Sequence, residues 1–253
     1  MTENFKNYKA SLPSHPSRLV EEMIHSFKCM ARDGCDGFDC TGESLQVISR
    51  WGTPVADIQT PAPVKQVNGK ETLKEIRDDL GDCRRCKLCE SRNSIVFGQG
   101  AENAKLVFVG EGPGAVEDRQ GVAFVGAAGQ LLTKIIHAIK MTREEVYICN
   151  IIKCRPPKNR NPQPDEIKAC TPFLRRQLKA ITPDYICTLG SFATRTLLET
   201  DVSVSKLRGR FHDCMGIKTL PTYHPAFLLR NPERKRDVWE DMQLLMRAMG
   251  IRI

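Results

Sequence analysis

The fold is decided by residues 106–140, LVFVGEGPGAVEDRQGVAFVGAAGQLLTKIIHAIK. The apolar run at 106–109 predicts a buried strand, and the amphipathic spacing over 129–140 predicts a helix. Between them lie a glycine-rich turn, three acidic residues and Phe124, at the place where open α/β sheets bind their ligands. A connection of this length favours a functional loop over a plain turn between strand and helix.

Two phosphate-binding motifs fail to explain this loop. Residues 110–115, GEGPGA, loosely fit the dinucleotide fingerprint, but Pro113 and a second loop follow where the helix should begin. The acidic residue that would bind a ribose about 20 residues later is also missing. Residues 121–126, GVAFVG, are followed by Ala-Ala rather than by Lys-Ser or Lys-Thr, which excludes the nucleotide P-loop.

Charge and cysteine content indicate the class of protein. The chain has 253 residues, a net charge of +8 and 11 cysteines. The positive charge indicates an anionic partner, for which nucleic acid is the first candidate. The sequence contains no apolar run of about 18 residues, so no membrane span is predicted. Residues 1–10 lack the apolar core of a secretory signal. We therefore expect a cytoplasmic protein whose cysteines bind metal rather than form disulfides.

The pattern along the chain predicts an N-terminal extension and linker at residues 1–70 and one domain at 71–253. Within the extension, 16–32 is a candidate helix, and 52–69, with its prolines, is a candidate linker. A short helix should end near Gly81. Further strands and helices then alternate, which predicts an α/β fold: a three-layer α/β/α sandwich around a mainly parallel, four-stranded sheet. The strands are expected at 106–109, 146–150, 185–189 and 217–220, and the helices at 129–140, 164–180, 191–199 and 233–249.

Each candidate strand ends at a distinctive group of residues. The first ends at GEGPG, the second at Asn150, the third at Leu189-Gly-Ser, and the fourth just before Pro-Thr-Tyr-His224-Pro. Because the carboxyl ends of parallel strands share one edge of the sheet, these groups should converge on one cleft. Residues far apart in the sequence are therefore expected to form a single site.

Several cysteines have the spacing of metal ligands. A CxxC pair with distant partners fits either a tetrahedral zinc site or an iron–sulfur cluster, and spacing alone leaves both open. Cys149 and Cys187 lie inside apolar strands and are expected in the core. Five cysteines compete for four ligand positions: Cys83, Cys86, Cys89, Cys154 and Cys170.

Five segments together closely resemble the family 4 uracil-DNA glycosylases, the thermostable type that carries an iron–sulfur cluster. The resemblance covers roughly residues 75–250, and the segments follow in order: GEGPGAVEDRQGVAFVGAAGQLL at 110–132, NIIKCRPPKNRNP at 150–162, TLGSFA at 188–193, LRGR at 207–210 and HPAFLLRNPERKRDVWEDMQ at 224–243. The resemblance implies the same α/β/α sandwich and a [4Fe–4S] cluster. It places the cluster on Cys83, Cys86, Cys154 and Cys170 and leaves Cys89 out.

The resemblance also implies roles for residues of the cleft. Glu111 and Gly112 would line the catalytic pocket, and Glu117 would lie near the sugar or the water. Phe124 would stack on a flipped uracil, and Asn150 would bind its pairing edge. His224 would contact the charge that develops on uracil O2. Which of the two glutamates orients the water is left open, and Asp118 is expected to hold the loop by hydrogen bonds.

The function implied is that of a monofunctional uracil-DNA glycosylase, which leaves an abasic site during base excision repair. The partner would be uracil-containing DNA, single- or double-stranded, bound by a monomer. Arg208, Arg210 and Arg230 would neutralise phosphates. The alternative is an iron–sulfur DNA-binding or redox protein without glycosylase activity, which would not need Phe124, Asn150 and His224 at strand ends.

Overall fold

The computed structural model of the protein describes residues 70–252. The candidate helix at 16–32 and the linker at 52–69 lie outside these residues, so the division of the chain at residue 70 stays a prediction. In the described part, no helix is both long and apolar enough to cross a membrane.

Helices and strands alternate along the described chain. The capping box between Thr72 and Glu75 starts the first helix, and Gly81 caps its end, as the sequence predicts. Three 3-10 turns lie at Lys87–Glu90, Pro157–Asn159 and Pro232–Arg234. In chain order the elements are α1 (Leu73–Leu80), β1 (Gln99–Gly100), β2 (Leu106–Gly110), α2 (Ala115–Gln120), α3 (Ala127–Ala138), β3 (Tyr147–Asn150), α4 (Pro164–Ile181), β4 (Tyr185–Leu189), α5 (Ser191–Leu198), α6 (Val204–Leu207), β5 (His212–Cys214), β6 (Ile217–Thr222), α7 (Pro225–Arg230) and α8 (Lys235–Ala248).

The sheet has six strands in the order β1-β3-β2-β4-β6-β5. Its inner strands, β3, β2, β4 and β6, are the four predicted ones, and they are parallel as expected. Two short antiparallel edge strands, β1 and β5, extend the predicted four-stranded sheet. They were missed because strands of two or three residues are too short to show a period-2 pattern.

Strand β6 runs two residues beyond the predicted end, through Pro221 to Thr222. A proline has no N–H to donate, so the sequence indicated an end at residue 220. However, β5 pairs with β6 only from Ile217 to Thr219, so at Pro221 the outer side of β6 is an edge. The strand therefore continues and carries its end toward His224.

Helices cover both faces of the sheet, which confirms the predicted sandwich. Along β2, Val107 and Val109 enter one core, whereas Leu106 and Phe108 enter the other. The first core is covered by buried residues of α1, α4 and α5, and the second by those of α3, α7 and α8. All residues of β2 and β3 are buried, as in a parallel sheet with helices on both sides.

The connections after β2 and β3 leave the sheet in opposite directions. The first leads to α3 on one face, and the second leads to α4 on the other face. The two strand ends are adjacent, with Gly110 paired in register to Asn150. A crevice therefore opens at the carboxyl edge between β2 and β3, the topological switch point where α/β sheets bind ligands.

Two predicted segments differ in detail from the structure. The stretch 110–126, predicted as a loop, contains the six-residue helix α2. Left-handed Gly121 ends this helix after less than two turns, which is too short for a recognisable apolar period. The predicted helix at 233–249 begins as a 3-10 turn, and α8 proper starts at Lys235.

Candidate active site

A cleft of about 1110 Å³, open to solvent, lies at this crevice. The sequence-predicted residues Glu111, Gly112, Glu117, Phe124, Asn150 and His224 all line it, together with Arg230. Sequence reasoning missed further lining residues, because apolar, amide and basic side chains of loops give no signal until the fold assembles them. These are Pro113, Gly114, Ala128, Ile152, Pro156, Asn159, Arg160, Asn161, Ala226 and Phe227.

Glycine is required where the end of β2 forms the floor of the cleft. A Cβ added at Gly110 would lie 2.5 Å from Asn150 Oδ1 and would overlap the Phe124 ring. A Cβ at Gly129 in α3 would overlap the backbone carbonyl of Phe124. The glycines that the sequence shows around this loop therefore let Phe124 and Asn150 approach each other across the cleft.

Asn150 ends β3 with its side chain buried in the cleft. The residue is 1% exposed, and its Oδ1 has no hydrogen-bond partner among the described residues. Its backbone is fixed from both sides, since Ile151 N donates to Gly110 O and Lys153 Nζ donates to Asn150 O. A buried amide oxygen without a partner in the protein is suited to a ligand that donates a hydrogen bond.

Glu117 and Phe124 form one unit. The Glu117 carboxylate accepts hydrogen bonds from Val125 N at 2.9 Å and Gly126 N at 2.8 Å, at the start of α3. A negative charge is favourable at this end of a helix. Phe124, the residue just before, has a left-handed φ of 53° and is held in this strained conformation by these bonds. Glu117 therefore positions the Phe124 ring.

Asp118 and Glu111 differ in their surroundings. The Asp118 carboxylate accepts from Asn93 N, Asn93 Nδ2 and Ser94 N, which confirms that it holds a loop by hydrogen bonds. The Glu111 side chain has no hydrogen bond within residues 70–252 and faces the cleft. Burial raises the pKa of Glu111 above its ordinary value. Of the two candidate glutamates, Glu111 is the one whose carboxylate is available to a ligand.

His224 has two contacts that fix its chemistry. It is the N-cap of α7, and its Nδ1 accepts a hydrogen bond from Ala226 N at 3.1 Å. Burial, together with the nearby positive charge of Arg230, lowers the pKa of His224 to about 4, and Glu117 opposes the shift. The ring is therefore neutral at neutral pH, and because Nδ1 accepts, its single proton is assigned to Nε2. His224 is both a helix cap and a hydrogen-bond donor.

The third strand end supports His224 rather than lining the cleft. Gly190, just after β4, donates its N–H to Thr222 O at 2.9 Å. A Cβ at Gly190 would lie 2.9 Å from the His224 Cβ. Of the four strand ends that were predicted to converge, those of β2, β3 and β6 meet at the cleft itself. The end of β4 packs behind His224 instead.

Arg208 has internal partners. Its side chain is 16% exposed, and its guanidinium donates to Asp241 Oδ2 at 3.0 Å and to the backbone oxygen of Asp237. Asp241 in turn accepts from Thr222 Oγ1 at 2.6 Å, at the end of β6. This geometry does not favour the expected phosphate contact of Arg208. It indicates instead that Arg208 supports the strand that carries His224, whereas Arg210 and Arg230 are exposed.

A second, smaller cavity contains the predicted metal ligands. Cys83, Cys86, Cys154 and Cys170 all line it, and Cys89 does not. Donors point at three of the four sulfurs: Arg85 Nη1 at Cys83 Sγ (3.6 Å), Arg92 Nη1 at Cys154 Sγ (3.6 Å) and Lys153 N at Cys170 Sγ (3.2 Å). N–H donors and cations around sulfur are the environment that stabilises thiolates.

The remaining described cysteines behave as the sequence predicts. Cys149 and Cys187 are buried in the two cores. All cysteines of residues 70–252 are free thiols.

Comparison with known proteins identifies the family. Residues 97–243 match the model of the uracil DNA glycosylase superfamily. The chain is 43% identical over 189 residues to the type-4 uracil-DNA glycosylase of Saccharolobus solfataricus, a match that covers 71% of this chain and 88% of the relative. It is 43% identical over 178 residues to the type-4 uracil-DNA glycosylase of Thermotoga maritima, covering 69% and 93%.

A third relative, the type-4 uracil-DNA glycosylase of Sulfurisphaera tokodaii, is 42% identical over 182 residues, covering 68% of this chain and 83% of the relative. The region matched by the family model contains every residue that lines the cleft. The resemblance drawn from the sequence is confirmed: the chain belongs to the uracil DNA glycosylase superfamily and, within it, to the type-4 uracil-DNA glycosylases.

Proposed function

We propose that this protein is a uracil-DNA glycosylase that hydrolyses the N-glycosidic bond of deoxyuridine in DNA and leaves an abasic site for base excision repair. The observation that carries the proposal is the buried, unpartnered Oδ1 of Asn150 in a cleft at the sheet edge. Release of free uracil from a uracil-containing oligonucleotide tests it directly. A monomer acting in the cytoplasm is the simplest form of such an enzyme.

Asn150 and Phe124 are the proposed readers of the base. Uracil inside a duplex is out of reach, so it must be flipped out or met in single-stranded DNA. The Asn150 Oδ1 would accept from uracil N3–H, and its Nδ2 would donate to O4. Cytosine presents a donor in place of O4, which the Nδ2 cannot pair with. Phe124 lies beside Asn150 and offers its ring as a stacking surface.

His224 is the proposed stabiliser of the leaving group. Cleavage of the glycosidic bond places negative charge on uracil, and a donor aimed at O2 lowers the barrier. The neutral ring, with its proton on Nε2, supplies such a donor without first taking up a proton. The cap contact at Nδ1 is what holds this tautomer, so the two roles of His224 depend on each other.

Glu111 is the proposed residue that orients the attacking water. The sugar carries positive charge in the transition state, and an ionised carboxylate can both accept a proton from water and stabilise that charge. Glu117 is less suited, because Val125 N and Gly126 N already occupy one of its oxygens. We assign Glu117 the positioning of Phe124.

The pH profile separates Glu111 from His224. As the pH falls, kcat is expected to decline through the raised pKa of Glu111, because the carboxylate must be ionised. His224 should contribute no decline near 6.5, since its pKa is lowered to about 4 and the ring stays neutral until then. Glu111→Gln should lower kcat by about a hundredfold and remove the acid limb.

Single-turnover rates between pH 4 and 9 measure this profile, with the exposed Glu102→Gln as the control. An acid limb that persists unchanged in Glu111→Gln would transfer the role to another group.

We further propose that Cys83, Cys86, Cys154 and Cys170 bind a [4Fe–4S] cluster. Four cysteines that line one cavity, with hydrogen-bond donors at three of the four sulfurs, fit a cluster bound by four thiolates. Within residues 70–252, no group of three His, Cys, Asp or Glu side chains is arranged to hold a single metal ion. When bound, the cluster would fix the loop 150–156 beside the cleft.

Iron content tests the ligand set. Cys170→Ser is expected to lose most of its iron, because one of four ligands is removed. Cys89→Ser is the matched control and should keep about four irons per chain. Iron analysis after anaerobic purification gives the result. Zinc in place of iron, or iron that depends on Cys89 but not on Cys170, would overturn the assignment.

Arg210 and Arg230 are the proposed phosphate contacts. Both are exposed, and Arg230 lies at the mouth of the cleft. On a log–log plot of DNA affinity against salt, Arg210→Gln should reduce the slope by about one unit. Arg208→Gln should leave the slope unchanged and lower the free energy of unfolding by about 3 kcal/mol, because it breaks a buried ion pair.

Fluorescence anisotropy at several salt concentrations and urea unfolding measure the two effects. The reverse pattern, a reduced slope in Arg208→Gln with unchanged stability, would restore Arg208 as a DNA contact.

A further inference from the structure

The cleft and the cysteine cavity share one wall, the segment 150–156. Asn150, Ile152 and Pro156 line the cleft, whereas Lys153 and Cys154 line the cysteine cavity. The backbone thus turns one group of residues toward the base and another toward the sulfurs. Residues that face the cleft are therefore separated by only a few backbone bonds from residues that face the sulfurs.

Lys153 is the charged residue inside the wall. It is fully buried, and it is the only lysine among the buried residues of 70–252. Its Nζ donates to the backbone oxygen of Asn150 at 2.8 Å, and no carboxylate of the described chain forms a salt bridge with it. This is the one hydrogen bond of Lys153 Nζ within the described residues, so it fixes the Lys153 side chain against the Asn150 backbone.

The cysteine cavity lies on the other side of Lys153. The backbone N–H of Lys153 donates to Cys170 Sγ at 3.2 Å. Lys153 therefore contacts the cysteine side through its backbone N–H, and the cleft side through its Nζ.

We propose that Lys153 is a positioning residue that couples the cysteine-bound cluster to the base-reading Asn150. Its Nζ fixes the Asn150 carbonyl, and thereby the backbone that carries the carboxamide in the cleft, and its own backbone N–H ties the same residue to Cys170, a ligand of the cluster. The inference rests on the proposed function, since it takes Asn150 as the reader and the four cysteines as ligands.

Lys153→Met tests the coupling, because methionine has a similar length but neither charge nor N–H. The matched control is Lys179→Met on the exposed face of α4. Lys153→Met is expected to raise the Kd for free uracil and lower kcat by about tenfold each, as supporting residues of a site do, with KM for DNA nearly unchanged. The cluster's reduction potential should become more negative, since a neighbouring positive charge is removed.

Calorimetry with uracil, steady-state kinetics and anaerobic redox titration of the purified holoenzyme give these values. A Lys153→Met protein with wild-type uracil Kd, kcat and potential would overturn the coupling. Should that variant fail to fold, Lys153→Arg decides: it keeps the charge, so the potential should stay near wild type, while its wider head group should weaken uracil binding. Unchanged uracil binding there would also overturn the proposal. A wild-type protein without iron or uracil excision would instead contradict the proposed function.

Discussion

Replacing Asn150 with aspartate is expected to lower the rate of uracil excision by about a hundredfold, because a mismatched buried hydrogen bond costs about 1–3 kcal/mol. The substitution keeps the shape of the side chain but removes the two N–H donors that would meet uracil O4. An ionised carboxylate would instead face that oxygen. Some excision of cytosine is expected, since the cytosine amino group can donate to the new acceptor.

Asn103→Asp is the matched control, as it makes the same change at an exposed turn before β2, at the opposite edge of the sheet. Single-turnover assays with uracil and cytosine substrates measure both variants. Equal uracil excision by Asn150→Asp and wild type would show that Asn150 does not read the base.

His224→Ala is expected to lower kcat by about a hundredfold with little change in DNA affinity, the usual loss for one hydrogen-bond donor to the transition state. Alanine also removes the helix cap, which costs about 1 kcal/mol of stability. The two effects need to be separated, because His224 Nδ1 and Nε2 serve different purposes.

His224→Asn makes that separation. Asparagine is a good N-cap residue, so the stability of α7 should be kept while the imidazole donor is lost. Both variants should therefore be equally slow, and only His224→Ala should be less stable. A His224→Ala protein that binds DNA poorly but reacts at the normal rate when saturated would move His224 from catalysis to DNA docking. His137→Ala, at an exposed position, is the control and should behave as wild type.

Much of this fold was predictable because strands β2 and β3 are fully buried. Runs such as LVFV at 106–109 are apolar without interruption, and the helices between them repeat with a clear period. The edge strands β1 and β5 and the short helix α2 carry no such signal. Their positions depend on pairing with Tyr147 and Thr219 and on capping by glycine, which only the assembled sheet provides.

The site was predictable in its membership but less so in its roles. Glu111, Asn150 and His224 follow strand ends, so their convergence follows from a parallel sheet. The roles of Glu111 and Glu117 depend on which carboxylate accepts hydrogen bonds from Val125 N and Gly126 N. The sequence gives no signal of that contact. Arg208 is similar, since an arginine in a basic stretch looks like a phosphate contact until Asp241 is seen beside it.

The central claim is that this cleft removes uracil from DNA by hydrolysis, and incubation with a single-uracil oligonucleotide tests it most directly. Thymine at the same position is the matched control, and both single- and double-stranded forms are assayed. No lysine is among the described residues that line the cleft, so no Schiff-base intermediate is expected. We predict release of free uracil and strand breaks that appear only after alkali. No free uracil, or breaks before alkali treatment, would contradict the account.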